Sequence, residues 1–161
     1  MRHGEAEGRG DEARALTPRG ADDCRRLAVY LKGEGTAWDA ILCSSARRAQ
    51  ESAELLSAVV DVPPALEVRP ELYLAGAEGL LMQLRALPDS ALAVLLVGHN
   101  PGLHALTRFL IGRRGSAMAR RGLRDCPPGA MATFSCEIEA WADLSPDQAE
   151  LRNFLTPGDV K

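Results

Sequence analysis

The stretch that most constrains the fold is ALAVLLVGHNPGLHALTRFLIG, residues 91–112. Residues 91–97 are all apolar. Consecutive side chains of a strand point to opposite faces, so both faces of this one demand apolar cover. Such a strand belongs in the middle of a parallel sheet with helices on each side. Residues 101–112 then take on helical spacing, with Asn100 suited to the cap and Pro101 to the first helical position. A second junction of the same kind lies upstream. AILCSS (40–45) reads as a buried strand ending at Ser44 and Ser45. ARRAQESAELLSAVV (46–60) reads as a helix with Ala49, Ala53 and Leu56 on its inner stripe, and Pro63 and Pro64 prevent its continuation.

The remaining segments fit the same scheme. Thr17 and Pro18 open a helix over 18–33, with Cys24, Leu27, Ala28 and Leu31 on one face and Gly33 and Gly35 at its end. Residues 65–72 contain a short strand, and 77–87 form a helix that turns Leu80, Leu81, Leu84 and Leu87 inward. Residues 129–140 and 149–155 read as strands. The stretch 113–128, with Arg113, Arg114, Arg120, Arg121 and Arg124, reads as a loop. Strands alternating with helices predict an α/β three-layer sandwich around a mostly parallel central sheet. At 161 residues the chain is one domain, 1–161.

Composition excludes several classes of partner. The formal net charge is −3, so there is no broad basic surface for nucleic acid, and the arginine-rich loop has no interleaved aromatics on which bases could stack. No apolar run is long enough for a membrane-spanning helix, so no membrane partner is expected. The polar first residues do not read as a secretory signal. Cys24, Cys43, Cys126 and Cys136 have no metal-binding spacing and are expected as reduced thiols of a cytoplasmic protein.

The chemistry lies at the two junctions. In open α/β sheets, ligands sit beyond the carboxyl ends of the strands, where helix N-termini favour anions. There the sequence offers Arg48 in SSARRAQES and His99 in VGHNPG, to be joined by Arg2 and His3 from the start of the chain. Two guanidiniums fit phosphate oxygens in a forked fashion. One imidazole can attack phosphorus, and a second can donate to oxygens that gain charge. These four residues predict a phosphoryl-transfer pocket with no metal or organic cofactor, arginine and histidine taking the place of magnesium.

RHGEAE, LTPRG, SSARRAQESAELL and LVGHNPGL, in this order, resemble the histidine phosphatase superfamily (phosphoglycerate mutase-like), and within it the short SixA-like phosphohistidine phosphatase branch. The resemblance implies a phosphoglycerate mutase-like fold and a phosphatase that works through a phosphohistidine enzyme intermediate. It makes His3 the nucleophile, Arg2 its phosphate-binding neighbour, Arg48 the arginine after the serine strand end, and His99 the second histidine. Arg47 falls one place early and is expected outside the pocket. Arg14, before LTPRG, matches a basic position of the branch and is expected to help bind the anion. Glu71 in RPEL is the candidate general acid and Glu5 a weaker one. A phosphohistidine substrate loses an imidazole, which needs less acid help than an alkoxide, so a phosphorylated protein is the favoured partner. Alternatives are a phosphatase of small phosphate esters and a non-catalytic phosphoprotein-binding module. His104, on the helix after GHNPG, reads as structural or surface.

A cysteine-phosphatase reading fails on spacing, because with five residues between cysteine and arginine the position that follows Cys43 is Ala49. One departure from the resemblance stands out. The family places a short apolar strand before RHG, and here Met1 directly precedes Arg2. The first strand is therefore expected to be truncated, with Met1 an internal methionine and neighbouring strands exposing unpaired backbone groups.

Overall fold

The computed structural model describes residues 1–8, 12–112 and 125–160. The arginines of the loop expected at 113–128 lie outside the described residues. Four helices and five strands are described: α1 (Pro18–Gly33), β1 (Ala40–Ser44), α2 (Arg47–Ser57), β2 (Leu66–Arg69), α3 (Ala77–Arg85), β3 (Val94–Val97), α4 (Gly102–Ile111), β4 (Met131–Cys136) and β5 (Ala149–Leu155). Strands β2, β1 and β3 form a parallel sheet in that order, and β4 pairs with β5 in antiparallel fashion.

Alternation along β1 and β3 builds the three layers. Ile41, Cys43, Leu95 and Val97 share a core with Cys24, Leu27 and Leu31 of α1 and Ala49, Ala53 and Leu56 of α2. Leu42 and Leu96 point the other way, into a core with Leu80, Leu81 and Leu84 of α3 and Leu103, Leu106 and Leu110 of α4. The sheet is thus covered on both faces, as an apolar strand pair requires.

Several expected boundaries move. The N–H groups of Leu92 and Ala93 donate to the Asp39 carboxylate, so the β3 ladder begins only at Val94. Helix α2 ends at Ser57 rather than at residue 60. Asn100 does not cap α4, because its Nδ2 donates to the Cys126 carbonyl and the helix starts at Gly102. Thr17 does cap α1, its hydroxyl accepting from the Gly20 N–H.

β3 is not central in the described sheet, since its far side is met only by the first residues of the chain. The Met1 amine donates to the Leu96 carbonyl, the Met1 carbonyl accepts from Gly98 N–H, and His3 N–H donates to the Gly98 carbonyl. Arg2 bonds the other way, its N–H donating to the Ala130 carbonyl. The residues before the RHG glycine therefore keep a strand-like anchor on both sides. Behind Met1 a cavity of about 580 Å³ runs between β3 and β4. Consecutive residues of both strands, Val94–Leu96 and Met131–Cys136, line it. Two strands therefore turn edges, not faces, toward this slot.

Candidate active site

Among the described residues five polar or charged side chains are buried: His3, Ser44, Arg48, Ser52 and His99. All five belong to one cluster at the carboxyl end of the parallel sheet. β1 delivers Ser44, the first turn of α2 delivers Arg48, and the turn after β3 delivers His99 just ahead of α4. Buried polar groups persist only when they are hydrogen-bonded, and these are bonded chiefly to one another.

Arg48 stands between the two imidazoles. Its Nε donates to His3 Nε2 at 3.2 Å, and its Nη2 lies 3.3 Å from His99 Nδ1. The ring centroids of His3 and His99 are 5.1 Å apart. These contacts fix the tautomers, because a guanidinium only donates. His3 Nε2 must carry a lone pair, and its Nδ1–H donates to the Gly4 carbonyl at 2.7 Å. His99 Nδ1 also accepts, so its Nε2–H donates to Ser44 Oγ at 2.7 Å.

Both imidazoles are held neutral. Burial first, then the nearby Arg48, Arg2 and Arg14 charges, lower the His3 pKa to about 4 against an opposing hydrogen bond to Gly4. Burial, His3 and the same arginines lower that of His99 to about 3. Arg2 is half-buried; its Nη1 donates to the Cys126 carbonyl, and its Nε is buried with no partner among the described residues. The pocket thus combines guanidinium charge, an unsatisfied donor and a lone pair on nitrogen, the complement of a phosphoryl group.

The supports are local. Ser52 Oγ donates to the Arg48 carbonyl and accepts from the Gly4 N–H, tying the start of the chain to α2. Gly20 lies so close to this loop that a Cβ there would sit 2.1 Å from the Glu5 carbonyl oxygen. This contact explains why LTPRG ends in glycine.

The expected residues divide clearly. His3, Arg2, Arg48 and His99 come together, and the charge of Arg14 bears on both histidines while its Nη1 donates to the carbonyls of Glu7 and Gly8. Arg47 is exposed and paired with Glu51, outside the pocket as expected. Glu71 is exposed, in the 3-10 turn Pro70–Leu72, and Glu5 accepts a hydrogen bond from the Thr17 hydroxyl. Sequence reasoning missed Ser52 and Tyr73. The Tyr73 ring stands edge-on to His99 with centroids 5.4 Å apart. Its only sequence signal was an aromatic just beyond the end of a parallel strand.

Comparison with known proteins finds relatives of the chain in sequence and in fold. Residues 1–73 match the family model of the histidine phosphatase superfamily (branch 1). The chain is 31% identical over 162 residues to an uncharacterized protein of Mycobacterium tuberculosis, covering 98% of this chain and 99% of the relative. It is 36% identical over 105 residues to the phosphohistidine phosphatase SixA of Escherichia coli, covering 63% and 65% of the two chains. The solved structure of a candidate phosphohistidine phosphatase SixA from Nakamurella multipartitia superposes with a TM-score of 0.84 at 32% identity, covering 98% of this chain and 93% of that one.

Proposed function

The chain belongs to the histidine phosphatase superfamily, in its SixA-like branch, and from that premise we propose that this phosphatase hydrolyses phosphohistidine on proteins through its own phosphohistidine intermediate. The observation that supports the reading is the buried cluster in which Arg48 is shared by two neutral imidazoles, one with an Nε2 lone pair that Arg48 holds toward the pocket and that can be released to act on phosphorus.

His3 Nε2 attacks phosphorus, and the P–N bond to the substrate imidazole breaks on the opposite side. The leaving nitrogen takes a proton from water or from a nearby acid. Arg2 and Arg48 hold the equatorial oxygens. The incoming anion draws a proton from solvent onto His99 Nδ1, which turns from acceptor to donor. Water then attacks phospho-His3, releasing phosphate and restoring the Nε2 lone pair. Arg14 adds positive potential at the entrance. Glu71 is the acid this reading would assign, yet its exposure leaves it dependent on a substrate that reaches it. A leaving imidazole asks little of such an acid, which supports phosphohistidine over an alkyl phosphate. Charge stabilisation by arginine and imidazole requires no metal step. Four free cysteines accord with residence in the cytoplasm.

The test is phosphate release from a phosphohistidine peptide, with wild type beside His3→Ala, in chelator. Turnover that survives the chelator and is lost in His3→Ala is expected. Faster turnover of a sugar phosphate would transfer the assignment to small esters. Phosphate binding without turnover of either would leave a phosphoprotein-binding module.

A further inference from the structure

Four hydrogen bonds close a ring around His3, and one member of the ring has no part in the phosphoryl chemistry. Arg48 Nε donates to His3 Nε2 at 3.2 Å, and His3 Nδ1–H donates to the Gly4 carbonyl at 2.7 Å. Gly4 N–H donates to Ser52 Oγ at 3.0 Å, and the Ser52 hydroxyl donates to the Arg48 carbonyl at 2.7 Å. Ser52 is fully buried, one turn along α2 from Arg48. Its bond back to the carbonyl four residues earlier fixes the direction of the hydroxyl and leaves an oxygen lone pair facing Gly4. Two of the four bonds cross from α2 to the start of the chain. An entering phosphoryl group must take the His3 lone pair away from Arg48, so it breaks one crossing. The bond between Gly4 and Ser52 is the crossing that survives. Gly4 is where this loop has most freedom. With no Cβ its backbone can turn, and the carbonyl that orients His3 would turn with it. A side chain there cannot stop this, because a Cβ would lie 2.9 Å from the Gly20 carbonyl oxygen and 3.0 Å from Cys24 Sγ. The restraint has to come from a neighbouring element.

We propose that Ser52 is a positioning residue for His3, its hydroxyl holding the Gly4 peptide in register with α2 so that the Gly4 carbonyl keeps the proton on Nδ1 and the lone pair on Nε2. The tautomer of an imidazole is set by the hydrogen bonds its nitrogens make. Without the Ser52 hydroxyl the Gly4 N–H is buried with no partner, and the loop must move to satisfy it. Both bonds to the His3 ring then loosen together, because one comes from Gly4 itself and the other from α2 across the same join. Ser52 meets no substrate atom and acts on the reaction only through His3. The role deepens the phosphatase reading and rests on it for the step in which the lone pair is used.

The experiment compares Ser52→Ala and Ser52→Thr with wild type. The His3 tautomer is read from its ring nitrogens by NMR at neutral pH, inorganic phosphate affinity by calorimetry, and kcat and KM on a phosphohistidine peptide. Wild type is expected to show one tautomer, protonated at Nδ1. Ser52→Ala is expected to mix the two tautomers and to lower kcat about tenfold, the cost of a small misplacement of a reacting group. Its phosphate affinity is expected to stay within about twofold of wild type, since both guanidiniums remain. Ser52→Thr keeps a hydroxyl that can bond the same carbonyl, and is expected to restore both the tautomer and kcat. A merely structural serine would lower the melting temperature of the Ala variant and leave the tautomer and kcat of the folded protein unchanged, and that result overturns the proposal. A folded Thr variant that behaves like Ala overturns it too. If Ala does not fold, Ser52→Cys decides by the same readings, because a thiol accepts poorly from an N–H and is expected to act as Ala does. Should Ser52→Ala mix the tautomers while wild type binds phosphate and leaves the peptide intact, the positioning role stands and the phosphohistidine reading falls.

Discussion

At the scale of single residues, the pocket works by keeping two histidines uncharged among arginines. An imidazole is a nucleophile only when neutral, and the His3 pKa near 4 leaves it neutral through the whole physiological range, as the proposed role requires. The acid limb of kcat/KM, which reports the free enzyme, is therefore expected between about pH 4 and 5 rather than near the ordinary histidine value of about 6.5. A pH–rate profile on a phosphohistidine peptide checks this. Arg48→Lys tests geometry at constant charge. A single ammonium cannot serve two imidazoles and a phosphoryl fork, so kcat/KM is expected to fall by about 100-fold with the melting temperature little changed. The four central residues were legible because they sit in motifs at strand ends, in a fixed order. Ser52 and Tyr73 were not. A serine inside a helix and an aromatic after a turn have many bland uses, and only the folded contacts with Gly4, Arg48 and His99 single them out.

Elements fix where those residues stand. The start of the chain is pressed between α1 and α2, and Gly20 is the point of closest approach. Gly20→Ala would drive a Cβ into the backbone of Glu5, which can yield only by moving the loop that holds His3. A loss of roughly 3 kcal/mol is expected, seen as a fall in melting temperature on the order of 5–10 °C, with activity reduced even in the folded fraction. Periodicity and capping predicted α1 and β5 to the residue, and the inner stripes of α2 and α3 were correctly drawn. The ends of β3 and α4 were not legible. Asp39 takes the N–H groups that would have lengthened β3, and the Cys126 carbonyl takes the amide expected to cap α4. Both are contacts between residues distant in sequence, which local pattern cannot carry.

Over the whole molecule, the layered α/β plan followed from two apolar strands that each needed cover on both faces. The slot between β3 and β4 has the character of a strand position. Met1–His3 already bond to both sides at its mouth, so an apolar extension of about five residues ahead of Met1 is expected to run on as a strand. Thermal melting of the extended chain should show a rise of several degrees, in keeping with added apolar burial. No rise would mean that the slot does not accept a strand. The cationic gap has a separate consequence for the folding equilibrium. Arg2, Arg14 and Arg48 bear on one small volume with neutral imidazoles between them. Anything anionic that enters binds the native state and has nothing to bind in the unfolded chain. By mass action, each tenfold rise in phosphate above its dissociation constant adds about 1.4 kcal/mol, or about 3–5 °C of melting temperature. Arg48→Ala should flatten that dependence. The protein's stability in a cell would then vary with the anion it releases, and its lifetime with the progress of its own reaction.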